Sequence, residues 1–358
     1  MDRDGFKFLD HIPKPLRAKE NSTEMKITMR NGSIIQIIGS ENYNALMGTN
    51  PVGCVLSEYA LQDPRAWDYI RPILRENGGW AVFNSTPRGH NHLYDLYNMA
   101  KGNPDWFCEL LTIKDTGVLT EQDMIDERKS GMSEDLIQQE FYCSFDAALP
   151  GAFFAREMDQ ARVQGRICKL PIVPGIPINT YWDLGMDDST AIWFTQIVGR
   201  EIHVIDYEEY SGEGLAFYAN LLREKKERNG WSYDVHVAPH DIEVRELGTG
   251  KSRLEIAAEM GLCFEVAPRP QRKEDAIEAA RVLLASCWFD KNRCDLGIQA
   301  LISYRKDYDE KNRVFRLKPV HDWASHGADA FQTMALGFRF RSATGNKPFR
   351  PNRTRSRF

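Results

Sequence analysis

The fold is decided by a stretch in the second half of the chain, NTYWDLGMDDSTAIWFTQIVGREIHVIDYE, residues 179–208. Apolar and β-branched residues are concentrated here in three runs, a composition typical of strands. The runs are 179–183, 190–198 and 201–208. Because only a few residues separate each run from the next, we expect hairpins and three consecutive antiparallel strands.

Strands and helices alternate after this stretch. The pattern predicts helices at 213–229, 251–260, 272–285 and 326–338, and strands at 234–238, 263–266 and 314–317. Three antiparallel strands followed by such an alternation are typical of a ribonuclease-H-like α/β sheet. The sequence therefore predicts that fold for residues 178–338.

The first half of the chain also alternates strand-like and helix-like segments, which favours a further α/β sheet. Its predicted strands are 26–30, 34–38, 53–56 and 79–84, and its predicted helices are 67–77, 92–101 and 120–146. A stretch broken by proline and glycine, 149–177, predicts a linker. Residues 339–358 are rich in Arg and Lys with no acid, which predicts a disordered basic tail. We accordingly expect domains at 1–148 and 178–338.

Composition excludes several classes of protein. The chain has 358 residues, a net charge of −5 and seven cysteines without a CxxC pair, so neither a zinc knuckle nor a disulfide framework is indicated. It contains no apolar run of 18 residues, so no transmembrane helix is expected. An acidic net charge still permits nucleic-acid binding through local basic stripes.

Three carboxylates stand where a strand or a small-residue helix face would present them. Asp183 ends the first predicted strand, Asp241 follows the strand at 234–238, and Asp329 lies among small residues that would let a helix approach a sheet. Converging carboxylates favour hard cations such as Mg²⁺ or Mn²⁺ over zinc. Taken singly, each acid could equally be a turn cap, a loop acid or a salt-bridge partner.

The second half resembles the nuclease domain of the large subunits of tailed-bacteriophage terminases. The matching motifs are WDLG at 182–185, DSTA at 188–191, PHD at 239–241 and SHGADA at 325–330. The resemblance implies that Asp183, Asp241 and Asp329 bind two catalytic Mg²⁺ or Mn²⁺ ions and that Asp188 is a further metal ligand. It implies hydrolysis of DNA by a two-metal mechanism. For His326 two interpretations stay open: it positions a phosphate or a water outside the metal ligands, or it caps the last helix.

The first half resembles the ATPase domain of the same family. GCVLSEYA at 53–60 is similar to a Walker B strand, with Glu58 as the base and Ser57 in place of the usual Asp. The Ser85, Thr86 and Pro87 triplet is similar to the family's coupling motif. No G-x-x-x-x-G-K-[ST] loop occurs in the chain, so we expect a P-loop-type sheet that lacks its Walker A part and does not bind ATP by itself.

The resemblance implies double-stranded DNA, a portal protein and a terminase small subunit as partners, no membrane, and the cytoplasm of the bacterial host as the location. Five basic residues around the second and third acids are candidate contacts to DNA phosphates: Arg245, Lys251, Arg253, Arg272 and Lys273. Two alternatives remain open: a packaging-motor or portal-docking component whose nuclease is silent, and another ribonuclease-H-like nuclease such as a resolvase.

Overall fold

The computed structural model describes residues 5–40, 49–146, 151–185, 189–245, 250–309 and 314–344. The chain forms two compact units, Met1–Asn84 and Ser85–Phe358. The division falls well before residue 148, where the sequence predicts the end of the first domain. The domain boundaries therefore remain predictions, and each unit is described by itself.

The first unit contains two small sheets. Its elements are β1 (Arg17–Asn21), β2 (Lys26–Met29), β3 (Ile34–Gln36), β4 (Gly53–Ser57), α1 (Arg65–Glu76) and β5 (Trp80–Asn84). Strands β1, β2 and β3 form an antiparallel sheet in that order, and β4 pairs in parallel with β5. A hairpin at Asn31 and Gly32 joins β2 to β3, with Gly32 at the positive φ of 86° that glycine tolerates.

The second unit holds the remaining elements. Its first helices are α2 (His92–Lys101), α3 (Ile113–Thr116), α4 (Glu121–Lys129), α5 (Glu134–Glu140) and α6 (Ala155–Val163). Its later helices are α7 (Leu215–Asn229), α8 (Arg253–Glu259), α9 (Lys273–Leu284), α10 (Asp295–Ser303) and α11 (Trp323–Thr344). Its strands are β6 (Ile167–Cys168), β7 (Ile178–Asp183), β8 (Ser189–Val198), β9 (Glu201–Ser211), β10 (Tyr233–Ala238), β11 (Phe264–Val266), β12 (Cys287–Asp290), β13 (Lys306–Asp309) and β14 (Val314–Pro319).

A seven-stranded mixed sheet, in the order β11-β10-β7-β8-β9-β12-β6, is the frame of the second unit. Strands β7, β8 and β9 are antiparallel neighbours. Strand β10 pairs in parallel with β7, and β11 pairs in parallel with β10. This is the predicted ribonuclease-H-like arrangement, and the α/β fold class is confirmed. Strands β12 and β6 extend it in parallel beyond β9.

Both faces of this sheet are buried, and alternation along the strands sends successive side chains to opposite faces. Tyr181 and Trp193 point to a core formed with α9, α10 and α11. Trp182 and Phe194 point to a second core formed with α7 and α8. The residue after Trp182 therefore belongs to the α11 face, and it is Asp183.

Helix α11 lies close against the sheet because its inner face is built of small residues. A Cβ added at Gly327 would lie 2.8 Å from the Tyr207 hydroxyl and 2.9 Å from Ala300 Cβ. The Gly327 carbonyl accepts a hydrogen bond of 2.8 Å from the Trp193 indole. Neighbouring Ala328 is fully buried, so the predicted close approach of helix and sheet is observed.

Several segments differ from the sequence prediction. The predicted linker contains α6 and β6, and β6 forms an edge of the large sheet. The predicted helix at 120–146 is two helices, because Gly131, at a φ of 100°, ends the first and Ser133 caps the second. Helix α11 continues to Thr344, six residues into the predicted tail, because residues 339–344 include neither glycine nor proline. The rest of that tail lies outside the described residues.

The residues that the structure describes contain neither a membrane-spanning helix nor a disulfide bond. Across the described ranges, none of the helices has the length and apolar character needed to cross a membrane. All seven cysteines are free thiols.

Strand β12 and helix α10, which the sequence pattern did not predict, complete the packing on the α11 side of the sheet.

Candidate nuclease site

Two of the three predicted acids follow adjacent parallel strands. Asp183 is the last residue of β7, and Asp241 lies in a single 3₁₀ turn, His240–Glu243, directly after β10. Because β7 and β10 run in the same direction and pair with one another, their carboxyl ends meet at one edge of the sheet. The topology therefore brings these two carboxylates together.

The third acid reaches the same edge from helix α11. The pKa of Asp183 is raised, chiefly by burial, and the negative charges of Asp329 and Asp241 raise it further. The His326 side chain opposes this rise, with its Nδ1 atom 3.5 Å from Asp183 Oδ2. The three carboxylates are thus close enough for their charges to interact, and His326 lies beside the most buried one.

Asp329 is held by three donors that all bind the same oxygen. Its Oδ1 atom accepts hydrogen bonds from Lys273 Nζ at 2.7 Å, Gln332 Nε2 at 2.9 Å and the Tyr304 hydroxyl at 3.3 Å. The contact with Lys273, which lies in the first turn of α9, is also an ion pair. The carboxylate is therefore oriented by its surroundings.

The acids do not form a closed metal cage. Within the described ranges, no three His, Cys, Asp or Glu side chains converge closely enough to hold one metal ion. The donor set nevertheless consists of carboxylate oxygens that repel one another, which is the chemistry that suits Mg²⁺ or Mn²⁺. The residues fit a hard divalent cation in chemistry, and the carboxylates would have to draw together around it.

An open cleft of about 550 Å³ lies beside Asp241. Its lining includes His240, Glu243, Val266 and Arg269. Arg269 is exposed, and it brings a positive charge to the rim of an otherwise acidic site. The cleft gives an extended substrate access to the second carboxylate.

The five predicted phosphate contacts have varied surroundings. Lys273 pairs with Asp329 in the site itself. Lys251 pairs with Glu259, and Arg272 pairs with Asp275. Arg245 forms an isolated backbone bridge with Ser252, and Arg253 begins α8. A phosphate would compete with carboxylates for Lys251, Arg272 and Lys273.

Asp188 lies outside the described residues, as does its neighbour Asp187. Asp206, on the opposite face of the sheet from Asp183, forms a buried ion pair of 2.6 Å with Lys225. Glu208 binds the same ammonium at 2.5 Å. Asp206 is thus engaged in the α7 core.

The residues predicted as an ATPase remnant lie in different compact units. Glu58 follows β4 in a left-handed conformation, with φ of 55° and ψ of 45°, and its side chain is exposed. Ser57 is exposed, and its carbonyl accepts a hydrogen bond from Gln62. In the second unit, Ser85 donates a hydrogen bond to the Thr86 carbonyl, and Pro87 is buried.

Sequence reasoning missed Tyr304 and Gln332. Gln332 could have been found, because it stands three residues after Asp329 and therefore on the same side of a helix. Tyr304 carries no such signal, since it approaches Asp329 from the end of α10, 25 residues earlier. Only the tertiary structure brings it to the site.

A phage protein of known role is similar to this chain in sequence. No protein-family model matches the chain. Over 327 residues the chain is 22% identical to the large subunit of the terminase of Escherichia phage T5, and the match spans 88% of this chain and 72% of that protein. In sequence, the chain is similar to this phage terminase large subunit. The fold brings three of the motifs that carry the family resemblance, at 182–185, 239–241 and 325–330, to one edge of the large sheet.

Solved structures of terminases show weaker likeness in shape. The large terminase of a thermophilic bacteriophage in complex with ADP covers 90% of this chain, and 79% of its own chain is matched, with 15% identity and a TM-score of 0.40. The nuclease domain of the bacteriophage SPP1 large terminase with bound Mn covers 48% of this chain, and 94% of its own chain is matched, with 15% identity and a TM-score of 0.35. The relationship to terminases rests on the sequence match and not on these scores.

Proposed function

We propose that this terminase relative is a metal-dependent endonuclease that cuts double-stranded DNA in a phage genome-packaging motor. One observation carries the proposal: Asp183, Asp241 and Asp329 come from separate elements, yet their charges act on one another at one edge of a ribonuclease-H-like sheet. Keeping the largely buried Asp183 carboxylate beside two other acids costs free energy unless a cation compensates for their charge. Such an arrangement favours a site used for binding over one kept for stability.

Asp183, Asp241 and Asp329 would hold the ions, and Asp188 is a further proposed ligand. Two divalent cations, when bound, supply activation of the attacking water and stabilisation of the leaving 3′ oxygen. His326 orients the Asp183 carboxylate from 3.5 Å away. Arg269 and the five basic residues named above would contact phosphates, which position a DNA backbone without reading its sequence.

The test is cleavage of supercoiled plasmid in Mn²⁺ by wild type, Asp183→Ala and Asp241→Ala. We expect both variants to lose nearly all cleavage, because each removes a ligand of ions that contribute several kcal/mol to transition-state stabilisation. Asp126→Ala, which removes an exposed acid on α4, is the matched control and should cut normally. Cleavage by either site variant at the wild-type rate would refute the assignment.

A second candidate function is a packaging component whose nuclease is silent. The observation in its favour is the ion pair between Lys273 and Asp329, which places a protein cation on one of the three acids. The same plasmid assay separates the two, since a silent nuclease shows no metal-dependent nicking in wild type. As the family resemblance implies, we also propose a portal protein and a terminase small subunit as partners, and the host cytoplasm as the location.

A further inference from the structure

The carboxylate of Asp329 is bound unevenly. Three donors share Oδ1, whereas Oδ2 accepts no hydrogen bond from any residue that the structure describes. When several donors hold one oxygen of a carboxylate, they fix the plane and the rotation of the group, and the other oxygen remains available to a ligand. Protein groups that hold a metal-binding side chain in this manner commonly strengthen its affinity for the ion.

Tyr304 is a rigid donor. Its side chain is 1% exposed, and its ring lies 5.2 Å from that of Phe153 and stacks 5.8 Å from that of Phe154. Its carbonyl also accepts a hydrogen bond from the Phe153 backbone. These contacts leave the phenol little freedom to turn away from Asp329.

Gln332 is the second fixed donor. Its side chain is 3% exposed, and the amide nitrogen divides its hydrogen bonds between Asp329 Oδ1 and the Ala328 carbonyl. Within the described residues its buried Oε1 atom has no hydrogen-bond partner. Since an unsatisfied buried acceptor is destabilising, core packing gives no reason for a glutamine here. Its contact with Asp329 does.

Lys273 differs from both, because its side chain is 42% exposed and its ammonium group lies at the end of a long, flexible aliphatic chain. Its ammonium can leave Asp329 without disturbing the core. Tyr304 and Gln332 are buried and uncharged, so they can remain on Oδ1 whether or not a cation lies near Oδ2.

We propose that Tyr304 and Gln332 are positioning residues that hold Asp329 by Oδ1 and so present Oδ2 to a divalent cation. The inference rests on the proposed function, since it requires that Asp329 bind a metal. It adds two residues that act through Asp329 and touch neither the ion nor the DNA.

The test measures Mn²⁺ affinity of the full chain by titration calorimetry and by electron paramagnetic resonance, together with thermal stability. The variants are Tyr304→Phe, which removes one hydroxyl, and Gln332→Met, which removes the amide and keeps the length. Tyr218→Phe is the matched control, because Tyr218 is also buried and donates one hydrogen bond of 3.0 Å, to the Tyr210 carbonyl in the α7 core. Asp329→Asn reports on the metal site itself.

We expect Tyr304→Phe and Gln332→Met to weaken Mn²⁺ binding by about tenfold or more, whereas Tyr218→Phe leaves it unchanged. A purely structural role would lower the melting temperature and leave Mn²⁺ affinity unchanged. The inference is overturned if both variants bind Mn²⁺ within twofold of wild type while Asp329→Asn abolishes binding. If wild type binds no Mn²⁺, or if Asp329→Asn binds normally, the proposed metal site and the inference fail together.

Discussion

The two units of the molecule differ in how far their parallel strands are covered by other residues. In the first unit, β4 and β5 form a two-stranded parallel sheet whose Val55, Trp80 and Val82 side chains are 61%, 57% and 48% exposed. In the second unit, the parallel strands β10 and β7 belong to a sheet buried on both faces. Parallel strands are normally covered on both sides, so the exposed apolar face of the first unit departs from the usual arrangement.

The same contrast applies to the carboxylates at the strand ends. Glu58 follows β4 and is exposed, whereas Asp183 ends β7 with only 24% of its side chain exposed. Burial and two neighbouring acids raise the pKa of Asp183. Similar sequence patterns, an apolar strand ending in an acid, therefore give different chemistry, because the surroundings and not the strand determine the properties of the acid.

The largest expected effect compares these two acids directly. Asp183→Ala should reduce Mn²⁺-dependent cleavage by on the order of 10²-fold or more, whereas Glu58→Ala should leave it unchanged. Thermal stability of metal-free Asp183→Ala should hold or rise, because the substitution relieves repulsion with Asp329 and Asp241. Equal losses of cleavage in the two variants would contradict the comparison.

The next effect is on DNA binding and its dependence on salt. We expect cleavage with little sequence preference and binding that weakens steeply with added salt, because phosphate contacts release counterions. Arg269→Ala, at the cleft beside Asp241, should weaken binding and lower the slope of log affinity against log salt by about 1. Arg75→Ala on α1 of the first unit is the control, measured by fluorescence anisotropy with several duplexes. A sharp preference for one duplex at raised salt would count against the prediction.

Acid should weaken the large sheet through His236. The Trp182 indole donates to the Thr180 hydroxyl at 2.7 Å, and the same hydroxyl shares a hydrogen bond of 2.7 Å with His236 Nδ1. Burial lowers the pKa of His236 to about 4, below its ordinary value near 6.5. Below pH 6.5 the unfolded chain binds a proton that the folded chain does not bind until about pH 4. The free energy of unfolding should therefore fall by about 3 kcal/mol across that window.

Urea unfolding of wild type and His236→Gln from pH 7 to below pH 4 measures this contribution as the difference in free energy of unfolding between the two proteins. The difference should change through the window and level off below pH 4. Parallel curves for the two proteins would mean that the histidine titrates equally in both states.

The smallest expected effect is that of ATP. The chain should show no measurable heat on titration with ATP and Mg²⁺, because its sequence contains no G-x-x-x-x-G-K-[ST] motif, whose backbone N–H groups and lysine bind the phosphates. A micromolar dissociation constant, or turnover that Glu58→Ala abolishes, would show that a phosphate site exists in the chain.

Much of the fold could be predicted from local pattern. The three antiparallel strands were readable because apolar residues and short breaks repeat there, and the small residues around Asp329 indicated the close approach of α11. Strand β6 was not readable, because two residues among prolines carry no periodic signal and pair only once β12 is in place. The break between α4 and α5 depends on one glycine that the charged pattern obscured.

The sequence by itself determined most of the strands and helices, the three acids and the motifs that resemble those of terminases, because these depend on neighbouring residues. Only the tertiary structure decided that Asp183, Asp241 and Asp329 share one edge, since residues 58 and 88 positions apart meet through strand pairing and helix packing. It also decided that Lys273, Tyr304 and Gln332 hold one oxygen of Asp329. Burial and the distances between charges are set by the packed sheet and its helices, and no local pattern specifies them.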